Sequence, residues 1–333
     1  MMTSPKSVLL IGPGFLGLNV LDNLIHAGYP VTVMVRRESQ AAELRSSSTT
    51  VVLGNLEDST LITKLASTHD ITINTASADH LPSVQAILAG SRIRAREEKQ
   101  SIYIHTSGTN ITADGADGAF KSERVFHDSH RKEIDAVGPD APHRDVDTTI
   151  AAAAQEDNLK KWAKIAIMIP PTIYGSNSKH KRISIQWPFM VRFALKHGYT
   201  GFVGEGKSVE SQIHVLDAAR ALTVLLNFAE RAPAEELLQN PYFFCENGVE
   251  TSWKEVAAEI GKILFERGKI EDPTPRTIPK ELYGDLFGEE TPVMIGLNSR
   301  SRAVRLRDLG WRPEAKGWRE SLSEDEVPSI LAE

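Results

Sequence analysis

Short apolar runs alternate along the first half of the chain with longer stretches whose apolar positions recur every three or four residues. Val8–Ile11, Val31–Val35, 50–53, Ile71–Asn74, Ser101–Thr106 and 165–169 read as strands buried on both faces. Residues 18–27, 39–46 and 59–67 have helical spacing, the last with Asp58 or Ser59 as cap. Periodicity is lost between residues 111 and 144, where glycine, aspartate and histidine dominate, and loops of that length are usually functional or mobile. Helical spacing returns at 145–156 and 185–197. Residues 212–217 then read as a strand handing over to a helix capped by Asp217, followed by a strand at 242–245, a helix at 252–267 and a tail rich in proline and charge. This alternation predicts an α/β fold with a doubly wound parallel sheet.

The turn between the first strand and the first helix is Gly12-Pro13-Gly14-Phe15-Leu16-Gly17. A strand that turns on glycine into a helix presents free amides and the positive end of a dipole, which suits a diphosphate. With a second strand one βαβ unit later, the pattern points to a dinucleotide rather than a mere tight turn. The second strand ends in Arg36-Arg37, where an NAD site usually places a carboxylate; two guanidiniums suit a 2′-phosphate, so NADP(H) is favoured over NAD. The competing reading, solvated turn arginines neutralised by Glu38, stays open. In such sheets the ligand sits beyond the carboxyl ends of the strands, so Asn55-Leu56, Thr75-Ala76-Ser77, Thr106-Ser107 and Pro170 to Thr172 are candidate walls.

Composition narrows the picture. The 333 residues carry a net charge of −6 and 41% hydrophobic content, enough for a large core and no invitation to nucleic acid. Cys245 is the lone cysteine, which excludes an internal disulfide, and its neighbours Phe243 and Phe244 suggest a buried thiol. Neither a leader-like start over residues 1–7 nor a membrane-length apolar stretch is seen, so a cytoplasmic protein without membrane partners is expected. His127-Asp128-Ser129-His130 lacks the context of a metal site, and no metal is expected.

Landmarks along nearly the whole chain resemble the extended short-chain dehydrogenase/reductase family, in an atypical, epimerase/dehydratase-like form related to NmrA-like proteins. They are 11–17, 54–58, His105-Thr106-Ser107-Gly108, 170–175, His214 to Ala219, Ser252 to Val256 and Leu309 to Pro313. The resemblance implies a Rossmann-like domain over 1–175 and 212–246, with a smaller discontinuous substrate-covering domain over 176–211 and 247–333. It also implies an NAD(P) cofactor reached by Gly12, Gly14, Gly17, Arg36, Asn55, Leu56, Ala76 and Thr172; the glycine turn, the paired arginines and the strand ends add Phe15, Leu16, Arg37, Thr75, Ser77, Thr106, Ser107 and Pro170 as candidate cofactor residues. A homodimer would be in keeping with many relatives.

The family's Tyr-x-x-x-Lys pair is absent from this chain. Counting back from Pro170 puts His143 at the tyrosine position and Asp147 at the lysine position, one helical turn apart, where Asp147 would stabilise the His143 imidazolium. Ser107, His143, Asp147 and Tyr174 are therefore the candidate catalytic residues. His180, Arg182 and Trp187 follow the strand where a small-molecule substrate would meet the nicotinamide, although Trp187 also reads as a core anchor and His214 as a structural residue. Three readings are compatible with these residues: an NADPH-dependent reductase of a carbonyl, which the extended C-terminal portion favours; a cofactor sensor without redox turnover; and a non-redox lyase or cyclase.

Overall fold

The computed structural model describes residues 5–45 and 49–333; residues 1–4 and Ser46, the expected end of the second helix, lie outside them. Strands β1 (Val8–Ile11), β2 (Val31–Val35), β3 (Thr49–Leu53), β4 (Ile71–Asn74) and β5 (Ser101–Thr106) join Ala163–Ile169 and Tyr242–Phe244 in one seven-stranded sheet. Its order is Tyr242–Phe244, Ala163–Ile169, β5, β4, β1, β2, β3, and every pairing is parallel. The chain runs outward from β1 to β3 and returns to β4 on the other side. This reversal opens a crevice at the carboxyl ends of β1 and β4. All four residues of β1 are buried, as a strand covered by helices on both faces requires.

Helices α1 (Phe15–His26), α2 (Glu38–Leu44), α3 (Ser59–Thr68) and α4 (Leu81–Arg96) connect these strands. Asp58 caps α3 through Leu61 N–H. The sequence pattern does not announce α4, because small residues, Ser83, Ala86, Gly90 and Ser91, are interspersed with Val84, Ile87 and Leu88 among its buried positions. Gly90 allows α4 to press against α3, since a Cβ there would come within 2.5 Å of Ala66 Cβ.

A second hydrophobic core, built around Tyr174, Trp187, Phe193, Trp253, Ile260 and Trp318, covers one end of the sheet. Tyr174 stacks on Trp187 with ring centroids 5.0 Å apart, so Trp187 is a core anchor. The chain then returns: Ala303, Leu306 and Trp311 pack into the first core. Buried Asp128 fixes this return by accepting the amides of Phe244, Val304 and Arg305 at 3.0, 2.9 and 3.1 Å.

Two sequence expectations need correction. The aperiodic stretch 111–144 contains the strand Phe126–His127 and the helix Arg131–Asp135; the strand pairs with Ser301–Arg302, a partner far along the chain that no local pattern reveals. Asp217 is not a cap. The helix Val215–Arg231 starts one residue after His214, whose Nδ1 accepts the Leu216 amide, while buried Asp217 accepts the amides of Glu314 and Ala315. Among the described residues no helix is long and apolar enough to cross a membrane.

Candidate functional site

The turn from β1 into α1 is shaped by what its glycines leave out. Gly12 has φ +92°, and a Cβ there would lie 2.3 Å from Ala76 Cα, so the β1 and β4 turns touch backbone to backbone. At Gly17 a Cβ would approach Gly12 O to 2.1 Å, which lets the helix pack tightly on the turn. Gly14 faces open space and begins α1 with no side chain capping the first amides. Those amides and the helix dipole are left for an anion. Thr75 secures the turn by donating its hydroxyl to Gly12 O at 2.7 Å, and Gln40 Nε2 donates to Pro13 O at 2.8 Å.

A cleft of about 430 Å³ opens there. Of the residues named from sequence, Gly12, Gly14, Arg36, Arg37, Asn55, Leu56, Thr75 and Ala76 line it; Phe15, Leu16, Gly17, Ser77, Thr106, Ser107, Pro170 and Thr172 do not. Arg182 and Gln40 join the lining. Glu38, the residue that could have neutralised Arg36 and Arg37, pairs instead with Arg45 at 2.6 Å. Among the described residues, Arg36, Arg37 and Arg182 make no ion pair or side-chain hydrogen bond. Unpaired cations around a glycine cradle fit a polyanionic dinucleotide.

Farther along the same strand ends, the candidate proton-handling residues come together. Ser107 follows β5 and donates its hydroxyl to Asp147 Oδ2 at 2.8 Å. Asp147 belongs to the helix Arg144–Ala153 and is fully buried; desolvation pushes its carboxyl up to about 7, and its Oδ1 has no partner. His143 precedes that helix in the left-handed region, with φ +65°. A non-glycine residue held there stores strain that the surroundings must offset. Its ring packs over Gly108, where a Cβ would come within 2.9 Å of Nε2.

The carboxylate facing His143 is Asp79, not Asp147. Asp79 Oδ1 lies 2.5 Å from His143 Nδ1, and this contact holds the Asp79 carboxyl below the usual carboxylate range. A carboxylate acceptor at Nδ1 places the ring proton there and turns Nε2 towards Gly108. The expectation that Asp147 would pair with His143 fails because residue 143 lies outside the helix, and Asp147 turns to Ser107. Asp79 escaped sequence reasoning; it belongs to the turn after β4, 64 positions from its partner. Buried side chains brace that turn: Asn74 Oδ1 accepts the Ala76 amide, Asn74 Nδ2 meets His105 Nδ1 at 3.3 Å, and Ser77 Oγ accepts the Asp79 amide. Burial lowers the His105 imidazole to about 3, keeping it neutral.

The fourth catalytic candidate stands apart. The Tyr174 hydroxyl donates to Lys316 O at 3.0 Å and accepts from Asn247 within the second core. Burial pushes its phenol well above the ordinary range. The Thr172 hydroxyl donates to Glu210, whose burial raises the carboxyl to about 8. Pro170 is buried and offers its carbonyl to the Thr109 amide. His180 is held by Asp22 at 2.7 Å.

Residues 12–158 match the NAD(P)H-binding family model. The chain is 28% identical over 321 residues to oxidase ucsJ of an Acremonium species, covering 90% of each, and 24% identical to protein C2A9.02 of Schizosaccharomyces pombe, covering 90% and 92%. Among solved structures it superposes on a UDP-glucuronic acid 4-epimerase from Bacillus cereus in complex with UDP-glucuronic acid and NAD, at TM-score 0.68 and 14% identity over 98% and 99% of the chains. A dTDP-glucose 4,6-dehydratase from Bacillus anthracis in complex with NAD gives TM-score 0.67 and 15% identity over 98% and 97%. Residues 12–158 thus match an NAD(P)H-binding domain, and the chain has the fold of these epimerase and dehydratase structures.

Proposed function

We propose that this protein is an NADP(H)-dependent oxidoreductase that reduces a carbonyl group of a small molecule, with His143 as proton donor. One observation carries the reading: the His143 ring, held by Asp79 at 2.5 Å, packs over Gly108, the chain neighbour of Ser107. NADPH, when bound, would supply the hydride. Gly12, Gly14 and the first amides of α1 would hold its diphosphate, and Arg36 and Arg37 its 2′-phosphate. His143, steadied at Nδ1 by Asp79, would deliver a proton from Nε2 to the carbonyl oxygen. Ser107, fixed by Asp147, would orient that oxygen. The name oxidase borne by the Acremonium relative supports a redox role.

His143→Ala should bind NADPH as the parent does, by calorimetry, while turnover on a carbonyl substrate found by screening falls by about 10²- to 10⁴-fold. Retained turnover would remove His143 from the reaction. The cofactor assignment is tested separately. Replacing Arg36 and Arg37 together by Ala should weaken NADPH about ten- to hundredfold and leave NADH nearly unchanged; equal weakening would overturn the 2′-phosphate reading.

A further inference from the structure

Arg182 lines the dinucleotide cleft, yet it comes from outside the sheet. It belongs to a hairpin in which Ser176–Asn177 pairs with Arg182–Ile183, and this hairpin runs on into the helix Gln186–His197 of the second core. Three side-chain contacts staple the hairpin to α1. Asn177 Nδ2 donates to Asn19 Oδ1 at 2.5 Å, His180 Nε2 lies 2.7 Å from Asp22 Oδ2, and Lys179 Nζ lies 2.5 Å from Asp22 Oδ1. Asn19 lies one turn into α1 and Asp22 a turn farther on. The staple fixes the hairpin along α1, and Arg182 shares a cleft lining with Gly12, Pro13 and Gly14 at the head of that helix.

Arg182 is half-buried and, among the described residues, makes no side-chain hydrogen bond or ion pair. A guanidinium partly removed from water calls for an acceptor, and phosphate oxygens match its planar fork. The 2′-phosphate end already has two unpaired guanidiniums, Arg36 and Arg37, at the close of β2. The other basic side chain of the lining, His80, is held by Glu57 at 2.9 Å, so Arg182 is the lining guanidinium that does not come from the close of β2.

We infer that Arg182 is a diphosphate ligand supplied by the second lobe, so that bound dinucleotide joins the two lobes across the cleft. This rests on the cleft being the dinucleotide site, but on neither the NADP preference nor carbonyl reduction. Since NADPH and NADH share the diphosphate, Arg182 should serve both alike.

The test is calorimetric titration of the full chain with NADPH and with NADH. Arg182→Gln should weaken both by a similar factor, about ten- to hundredfold, with a shallower dependence on salt. Arg182→Lys should recover part of the loss, because it restores the charge without the fork. Asp22→Ala keeps the guanidinium but loosens the staple, and should weaken both nucleotides by a smaller factor. Unchanged affinity for both in Arg182→Gln would overturn the inference. So would weakening confined to NADPH, which would move Arg182 to the 2′-phosphate. A failure of Arg36 and Arg37 to discriminate would leave this result untouched. Arg182 has no side-chain partner to lose among the described residues, so the melting temperature of the cofactor-free variant should match the parent.

Discussion

In the cleft, Gly12 lets two backbones touch, Gly14 faces open space, and Arg36 and Arg37 carry charge unpaired among the described residues; beyond its lining, Ser107 and Asp147 are buried and bonded to each other. The first region works by omission, through absent side chains and cations with no partner. The second works by commitment: Ser107 is held by Asp147 and His143 by Asp79, and His143 keeps its Nε2 edge for outside chemistry. Cofactor recognition here needs room for a backbone approach, whereas proton handling needs a fixed pKa and orientation. A substitution that adds atoms should damage the first region, and one that removes a partner should damage the second.

Gly12→Ala offers the largest effect. The added methyl meets the Ala76 backbone at 2.3 Å, and the positive φ disfavours any side chain. Loss of measurable NADPH binding is expected, with destabilisation of at least about 2 kcal/mol from overpacking and backbone strain, checked by calorimetry and denaturant unfolding. Normal binding would mean that the two turns separate at little cost.

Asp79→Asn should act more gently. The amide keeps a polar contact with His143 but removes the carboxylate that orients its ring. Turnover should fall by about tenfold, less than in His143→Ala, with thermal stability little changed. Unchanged turnover would break the link between Asp79 and the proton donor.

The smallest effect is on the pH dependence of stability. Burial raises the carboxyls of Asp147 to about 7, Glu210 to about 8 and Glu326 to about 7. A carboxyl whose folded pKa is raised stabilises the fold below its unfolded pKa, and that contribution is lost as pH rises through the folded value. Melting temperature should therefore fall between pH 5 and pH 8. Glu210→Gln should lessen that fall by a few degrees and leave the Asp147 and Glu326 parts in place.

The region built by omission was legible in the sequence because its parts are contiguous: a strand, a glycine turn and a helix within twenty residues, then two arginines closing the next strand. Ser107, His143 and Asp147 could be located by landmarks, but their partners could not. Asp79 meets His143 only because β4 and β5 are neighbours in the sheet, and residue 143 lies one position outside its helix. The helix α4 was hidden because small residues interrupt its apolar positions, and the 126–135 segment by a strand partner near residue 301. Thr172 and Tyr174 carry residue types suited to a site, yet Glu210 and Lys316 occupy their hydroxyls.

Asp128 carries a consequence for dissecting the molecule. Its buried carboxylate draws two of its three amide donors from residues 304 and 305, beyond nearly all of the second core. A fragment cut after residue 246 would retain the sheet strands but strand a desolvated acid and expose the seat of Leu306 and Trp311. The lobes are threaded through one another, so exchanging them between relatives would require two junctions rather than one.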